Sequence, residues 1–305
     1  MTQAATSVPR PNPIAAALGD IKLAHTVFAM PFAVLAAVLA VEPAPSAGRV
    51  AIVLALVIVC MVFARTWAML VNRLADARFD VDNPRTSGRA IASGRLEPKQ
   101  GWAIALGAAA LFCGTAFLFW PLTGNPWPTY LCIPVLGFVA LYSYTKRFTA
   151  LCHVFLGAAL AVSPLAAGLA VRPESLADAP TLYWLAGFVF LWVAGFDVIY
   201  ALQDLDFDTG RGLHSIPAKL GWRGAVWVSR LMHAAAFSAL VMSARADSRL
   251  DAIYVIGVAG VGSLLLVEHI TLAKRGKAGI PMVFFTYNGL ASLVIGAAGV
   301  LDLVL

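Results

Sequence analysis

Apolar residues run through this chain in long blocks separated by short polar stretches. Nine blocks stand out, at 23–41, 50–70, 102–122, 129–145, 150–171, 182–203, 224–244, 252–272 and 281–303. Each comes close to the ~20 residues a helix needs to cross a bilayer. In lipid every backbone polar group must find its partner inside the protein, which favours helices. The pattern predicts an all-α, polytopic membrane protein with nine transmembrane helices, folded as a single membrane domain over 1–305.

Composition agrees. Hydrophobic residues make up 60% of the 305 positions and charged residues 12%, against about 25% charged in soluble domains. Residues 1–20, with Pro9, Pro11 and Pro13, read as a flexible N-terminal arm. The first apolar block is longer than the core of a signal peptide, and Asp20 and Lys22 precede it. It is therefore read as a retained helix, although Ala44-Pro45-Ser46-Ala47 imitates a cleavage site.

The net charge is +6. With the N-terminus in the cytoplasm, sixteen Lys and Arg fall on inside segments, and only Arg49, Arg172, Arg245 and Arg249 fall outside. This positive-inside bias predicts a cytoplasmic N-terminus and an external C-terminus in a cell (inner) membrane. Arg65 and Arg230 lie within spans and are not counted. The basic residues are scattered over loops, so the charge reports topology and not a nucleic-acid partner. Cys60, Cys113, Cys132 and Cys152 show no CxxC spacing and lie in apolar runs, which suits small buried hydrophobes. His233 and His269 lie inside spans and read as hydrogen-bonded packing residues; His25, His153 and His214 are scattered, His214 beside an acidic cluster.

Two acidic clusters carry the chemistry. Asn72, Asp76 and Asp80 are spaced i, i+4, i+8, so each step advances only ~40° and all three share one helix stripe. Asp197, Asp204 and Asp208 fall on a second stripe, with Tyr200 near it and Asp206 pointing elsewhere. The clusters lie about 125 residues apart on the same predicted side, which suggests two related four-helix units and a closing ninth helix. Carboxylates at a membrane edge are costly, and like charges close together add to the cost. Mg²⁺ binds oxygen ligands and often shares carboxylates with substrate phosphates. Two facing clusters suit Mg²⁺ holding a diphosphate. Lys146 and Arg147, after Tyr142-Ser143-Tyr144-Thr145, and Arg85 and Arg89 in the polar loop 81–100, are candidate phosphate or carboxylate contacts.

These motifs resemble those of the UbiA superfamily of intramembrane aromatic prenyltransferases. The family pattern NxxxDxxxD stands here as Asn72, Asp76 and Asp80, and DxxYxxxDxxxD as Asp197, Tyr200, Asp204 and Asp208. Asn83-Pro84-Arg85-Thr86, Arg89, Gly212-Leu213-His214-Ser215-Ile216-Pro217 and the Tyr142–Arg147 stretch are also similar, with Ser143 replacing a frequent Pro. The resemblance implies nine helices around a central cavity under cytoplasmic cap loops. It implies a polyprenyl diphosphate donor and Mg²⁺ held by Asp76, Asp80, Asp204 and Asp208, with Asn72 and Asp197 assisting. It further implies an aromatic acceptor, here read as a carboxylic acid, alkylated at a ring carbon. Tyr200 is a candidate either to steady the allylic cation through its ring face or to orient a phosphate. The 4-hydroxybenzoate branch, in ubiquinone biosynthesis, is the nearest. His25-Thr26-Val27-Phe28-Ala29-Met30-Pro31-Phe32 departs from that branch and is similar to the futalosine-route menaquinone enzymes, whose acceptor is a naphthoate. An ion-coupled transporter would also carry intramembrane acids, but these acids gather at one face and no broken helix pair is evident. The single Asp motif of the CDP-alcohol phosphotransferases is absent. Prenyl length and oligomeric state stay open at this point.

Overall fold

The structure, a computed structural model, describes residues 12–21, 28–41 and 47–305. Arg10, Lys22, His25 and the Ala44–Ser46 stretch lie outside the described residues. Most of the described residues are helical, and none of them is in a strand. In order come α1 (Pro13–Ile21), α2 (Met30–Leu39), α3 (Ala47–Asp80), α4 (Pro98–Thr123), α5 (Trp127–Thr145), α6 (Cys152–Val171), α7 (Ser175–Asp178) and α8 (Pro180–Ala201). A 3₁₀ turn, Leu202–Asp204, leads into α9 (Leu205–Gly210), and α10 (Ile216–Ala246), α11 (Ala252–Arg275) and α12 (Asn288–Val304) follow.

Among the described residues, eight helical segments are long and apolar enough to cross a membrane. The expected first span is represented by the short apolar α2, so the expected count of nine long helices is not reached there. Helix α2 is apolar on all sides, with Phe32, Ala33, Leu35, Ala36 and Ala37 fully buried. A helix of that kind sits inside a bundle. Its C-terminal carbonyls are met by two arginines: Arg249 Nη2 donates to Leu39 O (3.0 Å) and Arg172 Nε to Ala40 O (3.3 Å).

The expected flexible arm differs from the structure over its second half. Residues 13–21 form α1, whose Ala16, Ala17 and Ile21 pack with Leu70, Ala90 and Leu96. The Asp20 carboxylate accepts the Ala90 N–H (2.6 Å). An apolar face and one half-buried hydrogen bond thus hold a segment that its prolines alone mark as loose.

Local signals set the boundaries. Glu97 and Gln100 form a reciprocal capping box ahead of α4, with Pro98 in the first turn. Gly124 ends that helix at φ 76°, a conformation glycine adopts without penalty. Ser215 caps α10 by accepting from Ala218 N (3.2 Å). Close packing relies on small residues. A Cβ on Gly157 of α6 would lie 2.3 Å from Phe190 O of α8, so the two helices touch along their backbones.

The core centres on α8, where Phe188 and Trp192 stack (5.5 Å between centroids) beside Phe32 and Phe28. At the opposite end, Asp302 caps α11 by accepting from Asp251 N (2.8 Å) and Tyr254 N (2.7 Å). The C-terminal ends of α3, α5 and α8 border one space, into which their polar residues project.

Candidate active site

Helix α3 runs unbroken for 34 residues to Asp80, so its acidic stripe continues an apolar span without a joint. Arg73 Nη1 donates to Asn72 Oδ1 (2.8 Å), which turns the Asn72 amide nitrogen toward Asp76 Oδ2 (3.2 Å). The second cluster is built differently from the expected single stripe. Regular helix ends at Ala201, and Asp204 closes the 3₁₀ turn. Asp197 therefore comes from α8 and Asp208 from α9. The 3₁₀ turn winds more tightly than an α-helix, and the side chains still enter the same space.

That space is a cavity of about 260 Å³. Asn72, Asp76, Asp80, Arg85, Arg89, Tyr142, Lys146, Arg147, Asp197, Tyr200, Asp204 and Asp208 all line it. All twelve residues singled out in the sequence are brought together. Asp206 faces away and pairs with Lys277 (2.9 Å). His214 is exposed and outside the cavity lining, and only its backbone ties in, donating to Lys146 O (2.8 Å).

Cations hold most of the carboxylates. Arg85 grips Asp204 with both arms, Nε at 2.8 Å and Nη2 in a second bond, while Asn83 Nδ2 adds a third (3.0 Å). Arg85 Nη1 also donates to the Tyr200 hydroxyl (3.1 Å). Arg89 Nη1 lies 2.8 Å from both Asp80 oxygens, and Lys146 Nζ lies 2.7 Å from Asp208 Oδ1. Arg147 Nη2 donates to Ala75 O (2.5 Å), and its guanidinium stands 5.0 Å over the Tyr144 ring. Burial alone would lower the Lys146 ammonium, but Asp208 beside it reverses this and holds it above its ordinary value. Arg85 likewise loses to burial and gains more from Asp204, so it too ends higher. Among the five motif aspartates, with Asp197 bonded to His153, Asp76 is the exception. It accepts from Asn72, and no cation lies at hydrogen-bond distance from it among the described residues.

Several cavity residues escaped the sequence reading. His153 on α6 lines the cavity and bonds Asp197. Arg65, Arg73 and Phe284 line it as well, as does Asn83, which entered the sequence reading only within the Asn83–Thr86 resemblance. Arg65 carried a usable signal, since a charge inside an apolar span marks a candidate site; Arg73 falls beyond the 50–70 block.

A second, apolar cavity of about 400 Å³ adjoins the first. Arg65, Met69, Tyr142, Leu156 and Leu160 border both. Beyond them the lining is aliphatic and aromatic, including Phe112, Phe119, Leu131 and Ala159. The two spaces thus offer a polar head region and an apolar tail region side by side.

The oxygen-rich donor set fits Mg²⁺, and the uncompensated Asp76 carboxylate is a position for positive charge. Among the described residues, no three acidic, His or Cys groups converge closely enough to cage an ion unaided. Oxygens from a ligand would have to complete the coordination.

Residues 29–290 match the UbiA prenyltransferase family. The chain belongs to that family. It is a multi-pass membrane prenyltransferase. It is 31% identical over 248 residues to the 4-hydroxybenzoate octaprenyltransferase of Cronobacter sakazakii, covering 79% of this chain and 82% of that protein. The apo structure of a UbiA homolog from Aeropyrum pernix K1 is similar at a TM-score of 0.81 and 30% identity, covering 92% of this chain and 98% of that one. A UbiA homolog from Archaeoglobus fulgidus bound to GPP and Mg²⁺ shares the fold at a TM-score of 0.69 and 18% identity, with 95% and 100% covered. Membership in a prenyltransferase family sets aside the transporter reading.

Proposed function

We propose that this enzyme transfers a polyprenyl group from its diphosphate to a ring carbon of an aromatic carboxylic acid, most directly 4-hydroxybenzoate, in respiratory quinone biosynthesis. The observation that carries the reading is the junction of the two cavities. One is lined by carboxylates, guanidinia and an ammonium, and the other by apolar side chains. A prenyl diphosphate is an amphiphile of that same division. The likeness to the Cronobacter 4-hydroxybenzoate octaprenyltransferase favours the benzoate acceptor over the naphthoate. The Archaeoglobus homolog, bound to GPP and Mg²⁺, supports the donor and the metal.

Asp76, Asp80, Asp204 and Asp208, with Asn72, would hold Mg²⁺, and Asp197 assists. The metal, when bound, neutralises charge on the diphosphate as it departs. Arg85, Arg89, Lys146 and Arg147 supply further positive charge for the phosphate oxygens. They are now spent on carboxylates and backbone, and are free to exchange partners. The allylic C–O bond breaks and its electron pair leaves with the diphosphate. The ring carbon beside the phenol then forms the new C–C bond, and the ring proton passes to a carboxylate or the released diphosphate. Tyr200 presents its ring to the cation. Arg65, buried between the two cavities with Nε lacking a hydrogen-bond partner, is placed to receive the acceptor's carboxylate. The Lys and Arg distribution supports a cytoplasmic position for this mouth.

Turnover of labelled prenyl diphosphate tests the reading. Asp76→Ala and Asp204→Ala should each lose on the order of 10²-fold or more, the scale of one removed electrostatic contact to a leaving group. Folded variants as active as the parent would end the proposal.

A further inference from the structure

Between α11 and α12 the backbone leaves regular α-geometry. Met282–Tyr287 form a single π-helical turn, a feature concentrated at functional sites. The turn carries Phe284, whose ring lines the acid-bearing cavity. Its centroid lies 4.2 Å from that of Tyr200, 5.3 Å from Phe196 and 5.5 Å from Phe28. Together these rings form an aromatic wall beside the acids.

The residue just after the turn holds it in place. Asn288 Nδ2 donates to Val283 O (3.0 Å), and Asn288 Oδ1 accepts from Trp192 Nε1 on α8 (2.6 Å). Asn288 is 1% exposed and Trp192 0%. Asn288 itself is not part of the cavity lining. Its two bonds tie the carbonyl preceding Phe284 to the central helix of the core. An apolar residue at 288 would leave the Val283 carbonyl and the Trp192 N–H unpaired and would take the amide away from the buried Glu268, which favours relaxation of the turn.

We propose that Asn288 is a positioning residue which, acting through Phe284, keeps the cation side of the cavity closed to water. The inference rests on the prenyl-transfer reading above. Once the allylic C–O bond has broken, the cation has two captors. The aromatic carbon gives a C–C bond and releases a ring proton. Water gives a C–O bond, releases a proton to the site, and yields the free prenyl alcohol. Phe284 presents its ring to the cavity, where it stabilises the cation and, packed with Tyr200, occupies the space water would take.

The test uses the full chain in detergent or nanodiscs with labelled geranyl diphosphate, 4-hydroxybenzoate and Mg²⁺. The readout is the ratio of geraniol to prenylated acid, which a loss of folded protein alone does not move. Phe284→Leu is expected to raise the ratio about tenfold, the scale of one lost cation–π contact. Asn288→Ala is expected to raise it in the same direction, and to add nothing in the Phe284→Leu background. A Phe284→Leu ratio equal to the parent's overturns the proposal, as does an additive double variant. If Asn288→Ala does not fold, Asn288→Ser is read instead, and a parental ratio there also overturns it. A parent that turns over no prenyl diphosphate defeats the prenyl-transfer reading itself; turnover with an unmoved ratio defeats only this inference.

Discussion

His153 Nδ1 lies 2.7 Å from Asp197 Oδ2, while its Nε2 accepts the N–H of Ile216 (3.3 Å). With Nε2 occupied as an acceptor, the ring proton sits on Nδ1 and faces the carboxylate. One imidazole thus joins α6, α8 and the start of α10. It fixes the direction of the first acid in the second cluster. His153→Ala should lower kcat/KM by about 10–100-fold, the usual range for losing a group that orients a ligand-bearing carboxylate. Turnover measured across a Mg²⁺ titration checks this, with a higher Mg²⁺ requirement expected in the variant. Parental kinetics at all Mg²⁺ levels would remove His153 from the site.

That contact shows where sequence patterns stop informing. Asn72, Asp76 and Asp80 were legible because one continuous helix carries them and period alone fixes their common face. Asp204 and Asp208 were legible as chemistry, but not as geometry, since nothing local announces the 3₁₀ turn at Leu202–Asp204. His153 and Asp197 are 44 positions apart and meet only through packing of α6 on α8. The same holds for Arg85 and Asp204, 119 positions apart. The helices themselves were visible as apolar blocks. Helix α1 was not, because three prolines masked a short apolar face that needs α3 and α4 to bury it.

The apolar cavity makes a prediction about tail length. Ala167, two turns beyond the junction on α6, lines it and is almost fully buried. Ala167→Phe would place a ring in the far part of the space assigned to the prenyl tail. Overpacking a filled site costs about 1–3 kcal/mol, so kcat/KM for a long polyprenyl diphosphate should fall about tenfold or more. Geranyl diphosphate, whose tail ends sooner, should be turned over nearly as before. Competition between a long and a short donor in one reaction measures the shift. An unchanged preference would place the tail elsewhere.

Arg65 is the residue proposed above to hold the acceptor's carboxylate. It borders both cavities beside Tyr142, and its Nε is buried without a hydrogen-bond partner. A buried guanidinium in that state is poised for a planar anion, and a carboxylate matches its fork. Arg65→Met should therefore weaken use of 4-hydroxybenzoate, with kcat/KM for the acceptor falling at least about tenfold, as when one partner of a buried charge pair is removed. Arg65→Lys should recover only part of this, because an ammonium keeps the charge and loses the fork. KM for the prenyl diphosphate should stay near the parent's. Phenol, which lacks the carboxylate, separates the roles. Parent and Arg65→Met should use phenol equally if the guanidinium serves the acceptor's carboxylate. An equal loss on both acceptors would mean that Arg65 serves the diphosphate or the packing of α3 instead.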